Sequence, residues 1–203
     1  MRKADMLEFA TLGVLQDGPA HGYELRKRLS ATLGTLQTIS FGSLYPALQE
    51  LVRQGLIAEQ VDDETSRRPR RTSRPSAAHG DTALATAPDT HGARRNRITY
   101  RLTEAGAQRF AAMLADAGPN AWDDEGFRVH FAFFARAEQT TRTRILEGRR
   151  MRLAERRALM REALTRAAER VDAYTLELQR HGLENVEHEM RWLDTLLAQE
   201  QHH

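Results

Sequence analysis

The chain has 203 residues, of which 29% are charged and 6% aromatic, and it has no cysteine. That length allows one ordinary domain or two small ones sharing a core, and the missing cysteines exclude disulfide frameworks, zinc ribbons and thiol catalysis. The net charge of +2 is unevenly spread: residues 1–61 balance to zero, 62–97 carry +3 and 98–203 carry −1. Of 30 basic residues, 28 are Arg and two are Lys. Arg bonds phosphate bidentately where Lys does not, although an Arg-rich genome composition gives the same bias. No apolar run approaches the roughly 18 residues of a membrane-spanning helix, and the N-terminus lacks a signal-peptide layout. A soluble cytoplasmic protein is expected, with no membrane partner.

In chain order, residues 2–16 read as a helix, with Met6, Phe9, Ala10, Leu12, Gly13 and Leu15 on one broad face. Asp17-Gly18-Pro19 breaks it. Residues 23–33 form a second helix with Leu25, Leu29 and Leu33 inward, stopped by Gly34. A third covers 41–54 and buries Leu44, Leu48, Leu51 and Val52. Ser40 or Ser43 can cap it, and a cap at Ser43 would place Pro46 where its missing N–H costs nothing. Gly55 ends it. The period then changes to two, giving short strands at 56–61 and 98–102. Residues 62–97, between them, hold almost no large apolar side chain and read as a mobile loop. Thr103 caps a fourth helix, 103–115.

Residues 116–126 read as a linker. The segment 127–135 fits a strand by alternation and a helix by the spacing of Phe127, Phe131 and Phe134; the helical context favours helix. A long helix is expected over 138–181. Within it Leu153, Met160, Ala167 and Tyr174 lie seven apart, and Leu164, Val171 and Leu178 form an interleaved series. Together they make a coiled-coil seam interrupted at Arg157. Gly182 ends that helix, and a last one runs over 184–200. The expected fold is mostly α: an N-terminal winged helix-turn-helix with a two-stranded wing, then a coiled-coil-like helical dimerisation domain. The expected division is 1–115 and 116–203.

The residues also carry a resemblance. GPAHGYELRKRL (18–29), SFGSLYPALQELVRQGLI (40–57) and ITYRLTEAG (98–106) are similar to the motifs of the PadR family of bacterial transcriptional regulators. The resemblance covers the DNA-binding part, and the C-terminal half matches only in layout. It implies a dimeric repressor whose C-terminal helices form the dimer interface, relieved by a small aromatic or hydrophobic effector. The departure is at the wing, where an Arg cluster occurs twice, RRPRR (67–71) and RRNR (94–97), around extra residues.

Ser40, Phe41, Gly42, Ser43, Tyr45 and Pro46 open the third helix. A helix N-terminus offers N–H groups and a positive dipole end to a phosphate, and a short helix fits a major groove roughly 12 Å wide. The plainer alternative is core packing by Phe41 and Tyr45 and capping by the serines. Arg67, Arg68, Arg70, Arg71, Arg94, Arg95 and Arg97 are candidates for phosphate contact or for a minor-groove hook, against the alternative of a solvated loop tip. Tyr23 is expected in packing rather than at DNA. Leu153, Met160, Leu164, Val171, Tyr174 and Leu178 are assigned to dimerisation. Trp122, Phe127, Phe131, Phe134 and Trp192 are assigned to an effector pocket or to ordinary packing. His181 and His188 lack a recognised ligand spacing, so no metal or other cofactor is expected. No enzyme motif is present. The partners expected are double-stranded DNA with an inverted-repeat operator, a second copy of the chain and a small-molecule effector. The alternative function is a winged-helix module in which the coiled coil binds a protein partner.

Overall fold

The computed structural model describes residues 2–34, 41–61, 98–167 and 171–202. Helix α1 (Lys3–Leu15) is the centre of the N-terminal unit, with Phe9, Ala10 and Leu12 buried. A two-residue strand β1 (Ala20–His21) leads into α2 (Gly22–Leu33), followed by α3 (Phe41–Arg53), β2 (Ile57–Val61), β3 (Ile98–Leu102) and α4 (Glu104–Ala115). The sheet is antiparallel in the order β1-β3-β2. Glu59 faces Tyr100 on one side of β3 and Ala20 faces it on the other. The wing is therefore three-stranded. The added strand is too short for its period to show in the sequence.

Local chemistry explains the joints. At the end of α3, Gly55 donates to the Val52 carbonyl at 2.9 Å and Leu56 to the Leu51 carbonyl at 3.0 Å. This closes the helix by the left-handed stop that a glycine with φ near +72° permits. Thr103 caps α4, its hydroxyl oxygen accepting from the Gly106 N–H at 3.1 Å. Helix α3 starts at Phe41, ahead of Ser43, so Pro46 lies within it. The helix forgoes one ladder bond, to the Gly42 carbonyl, near its exposed start. The apolar face nonetheless closes, with Leu44, Leu48 and Leu51 buried. Each such leucine contributes about 1.5–3 kcal/mol of burial.

The C-terminal part begins with a 3₁₀ turn (Pro119–Ala121), α5 (Asp124–Ala132) and a second 3₁₀ turn (Phe134–Arg136). The segment read as ambiguous is helical, and both of its apolar series are used. Phe127, Phe131 and Phe134 join a C-terminal core, while Val129 and Phe133 join the N-terminal one. The alternation that mimicked a strand is thus the mark of a helix packed on two sides.

The long helix expected over 138–181 is divided. Helix α6 (Gln139–Ala167) and α7 (Ala173–Glu200) are separate elements. Asp172 caps α7, its carboxylate accepting from Tyr174 N–H at 2.9 Å and Thr175 N–H at 3.0 Å. Gly182 does not end a helix. It lies inside α7, where an added Cβ would meet the Met160 side chain at 3.0 Å, so its role is close approach to α6. The pairs Arg142–Glu200, Arg150–Asp194 and Arg161–Glu187 run in opposite chain directions, so α6 and α7 form an antiparallel hairpin.

This corrects the expected seam. Leu153 is buried inside the hairpin, Met160 packs against Gly182, and Leu164 and Val171 are half-buried, while Tyr174 is 89% and Leu178 71% exposed. A heptad stripe needs one continuous helix, and the turn before Asp172 breaks the register. Among the described residues, no helix is long and apolar enough to cross a membrane.

Candidate nucleic-acid interface

The motif at residues 21–25 supports the recognition helix. His21 Nδ1 lies 3.0 Å from Thr99 Oγ1 and 3.3 Å from the Ile98 carbonyl, tying β1 to β3. Gly22 is buried, and a Cβ there would meet the Tyr45 hydroxyl at 3.0 Å. Glu24 pairs with Arg28 at 3.0 Å, and Leu25 enters the core. Helix α3 thus rests on α2 through the bare backbone of Gly22. On the other side, the buried Tyr100 phenol is pushed up by burial first. The charge of Glu59, the neighbouring Tyr45 and a hydrogen bond to Glu59 push it in the same direction. Tyr45 therefore stands between α2 and the wing.

The outward face of α3 presents Gly42, Tyr45, Pro46 and Gln49, with Ser43 half-buried and Tyr45 44% exposed. Its only described cation is Arg53. The Arg53 guanidinium bonds Glu50 at 2.5 and 2.8 Å and, with Gln54, holds the Glu50 carboxyl below its usual range. This face can offer hydroxyls, an amide and apolar contact, but little net positive charge. Ser40 and the arginines at 67, 68, 70, 71, 94, 95 and 97 lie outside the described residues, as does the Phe41 side chain.

Tyr23 departs from expectation. It is 70% exposed, because α2 begins at Gly22 and turns position 23 away from the face that buries Leu25 and Leu29. Next to Gly22 and hence to Tyr45, it extends the polar-aromatic surface beyond α3. The sequence signal was the offset of Tyr23 from the leucine series.

Four of the five effector candidates come together. The Phe131 and Trp192 ring centroids are 5.2 Å apart, Phe131 and Phe134 4.9 Å, and Phe127 and Trp192 6.2 Å. Trp122 sits apart: it lies on Gly148, where no Cβ would fit, and donates from Nε1 to the Ala117 carbonyl at 3.0 Å. A cleft of about 430 Å³ lies elsewhere, lined by Asp123, Asp124, Arg149, Arg152, Arg156 and Leu159 among others. Burial works to raise the Asp124 carboxyl there, but the hydrogen bond and charge of Arg149, with Arg156 and Arg128, hold it below its ordinary value. The aromatic cluster and the cleft are separate features.

Comparison with known proteins bears on the N-terminal unit. Three solved structures are similar over nearly the whole chain. Bacillus subtilis PadR in complex with operator DNA is 17% identical, covers 96% of this chain and 98% of its own, and has a TM-score of 0.38. Bacillus subtilis PadR in complex with p-coumaric acid is 16% identical, covers 99% and 98%, and has a TM-score of 0.39. The smu.1604c protein of Streptococcus mutans UA159 is 20% identical, covers 98% and 99%, and has a TM-score of 0.38. Those superpositions are loose and carry no residue roles across. No curated protein matches. The family model described as "Transcriptional regulator PadR-like family" matches residues 11–74, spanning the end of α1, β1, α2, α3 and β2. With the HGYEL and GSLYPAL segments placed in α2 and α3, the DNA-binding part of this chain belongs to the transcriptional regulator PadR-like family.

Proposed function

We propose that the chain is a dimeric, sequence-specific DNA-binding repressor, relieved by a small aromatic or hydrophobic effector. The observation that carries this reading is the family match over residues 11–74, with the exposed start of α3 beside Tyr23 on one surface. The polar and apolar groups of Gly42, Ser43, Tyr45 and Pro46 suit base-edge and backbone contact. The positive charge that phosphate binding needs comes from the Arg-rich residues 62–97. The exposed Met151, Leu159, Tyr174 and Leu178 on α6 and α7 suit a second copy of the chain. The aromatic cluster around Phe131 and Trp192 suits a flat effector. A division near residue 115 is supported by two apolar cores, although α5 serves both.

The test is selection of duplexes from a random pool, followed by competition at two salt concentrations. A repressor of this kind outcompetes non-specific DNA and weakens as salt rises. Its operator is an inverted repeat with half-site centres about 10 or 20 base pairs apart. p-Coumaric acid, named with the Bacillus subtilis chain, is a suitable first effector to try. The zero net charge of residues 1–61 favours the second reading, a winged-helix module that binds protein. Equal affinity for selected and scrambled duplexes would establish that reading instead.

A further inference from the structure

Helix α5 has two working faces. Phe127 and Phe131 turn toward α7, where both contact Trp192. Val129, His130 and Phe133 turn toward α1 and α4: Phe133 lies 5.6 Å from Phe9 and 5.4 Å from Phe110 between ring centroids, and His130 lies 4.8 Å from Phe9. The first face belongs to the C-terminal core and the second to the core beneath the recognition helix.

The attachment to the N-terminal side is close. His130 is buried, with Nδ1 2.8 Å from the Gly126 carbonyl on its own helix and Nε2 3.3 Å from the Met113 carbonyl on α4. One ring therefore joins α4 to α5. Gly13 on α1 leaves no room for a methyl group before Phe133 and Phe110. Just beyond α5, Arg136 bonds Asp17 at the end of α1. A nine-residue helix held this tightly on both sides moves as a unit, because close-packed interfaces shift between discrete arrangements rather than yield gradually.

We propose that α5 is a lever joining the Phe127–Phe131–Trp192 cluster to the DNA-facing unit through His130 and Phe133. This rests on the reading of the chain as a DNA-binding regulator. Coupling between sites is reciprocal: if occupancy of the cluster alters DNA affinity, DNA binding must alter the surroundings of Trp192.

The experiment uses the full chain labelled with 5-fluorotryptophan and observed by ¹⁹F NMR, the Trp192 resonance being the one absent from Trp192→Phe. The probe is a self-selected duplex of roughly 30 base pairs, about three helical turns, with binding followed independently by fluorescence anisotropy. Addition of the duplex is expected to move or broaden the Trp192 resonance. His130→Gln and Phe133→Leu, each of which cuts one link and retains most of the side-chain volume, should reduce that change about twofold or more while the duplex still binds. Either variant suffices if circular dichroism shows that the other does not fold. Binding with no change at Trp192 overturns the lever and leaves the regulator reading intact. A change that persists undiminished in a folded variant also overturns it, since the signal then bypasses α5. Failure of any duplex to bind overturns the regulator reading, and the lever with it.

Discussion

Thr103 meets the carbonyl of Leu56 twice: its N–H donates at 3.1 Å and its hydroxyl reaches the same oxygen at 2.9 Å. The Leu56 N–H is itself bonded to the end of α3, so one peptide links the recognition helix to the start of α4. Gly106, one turn further on, sits so close to this carbonyl that a Cβ would overlap it. The LTEAG segment is therefore a structural joint that sets where the wing leaves α3.

Thr103→Ala removes both the cap and the bond to Leu56, and should cost about 1–2 kcal/mol. Gly106→Ala should cost more, on the order of 1–3 kcal/mol, since backbone has to move. Urea denaturation of the two variants checks the order. Gly106→Ala matching wild type would show that the joint yields easily.

Tyr23 and Tyr45 should separate binding from folding. Tyr23→Ala, at a 70% exposed position, should leave stability within about 0.5 kcal/mol and still weaken DNA binding. Tyr45→Ala should lower both, because Tyr45 packs on Gly22 and adjoins Tyr100. Thermal melts beside binding isotherms give the comparison.

The two ends of the supposed seam should behave differently. Leu178→Glu with Tyr174→Glu alters exposed side chains and should yield a folded monomer by light scattering. Leu153→Ala empties a buried site in the α6–α7 hairpin and should cost about 2–5 kcal/mol. A double Glu variant that remains dimeric would move the interface off this end of α7.

Asp172 gives a pH test. Its carboxyl is held below the usual value by the hydrogen bonds from Thr175 and then Tyr174. A depressed folded pKa contributes stability above the unfolded value of about 3.9. That contribution disappears as pH falls through the folded value. Wild type should therefore lose stability on acidification in this window, and Asp172→Asn should lose less over the same range. Parallel melts of the two across that window provide the check.

The Arg-rich insertion should raise affinity more than selectivity. Changing Arg67, Arg68, Arg70 and Arg71 to Ala should weaken selected and scrambled duplexes by similar factors. It should also flatten the salt dependence by about one unit of slope for each phosphate no longer neutralised. Deleting residues 72–93 should preserve selectivity. A four-Ala variant that loses discrimination but keeps its non-specific affinity would make these arginines base readers.

The sequence by itself determined the elements whose causes are local. The 3.6-residue spacing of Leu25 and Leu29, the Gly55 stop, the Thr103 cap and the alternation at 98–102 each act within a few residues, and the structure places them accordingly. Motifs also identified the family, because Gly22, Thr103 and Gly106 are specific to the joints they fill. Tertiary structure decided the rest. Whether Leu153 and Leu178 share a stripe depends on a turn set by Asp172, and a heptad count passes over a turn without notice. Whether Gly182 stops a helix or admits Met160 depends on α6 lying against it. Which face of α5 meets which core, and that Tyr23 points outward while Tyr45 is clamped, are matters of distant segments meeting. Residue spacing records only which side chains share a face of their own element, not what that face will touch.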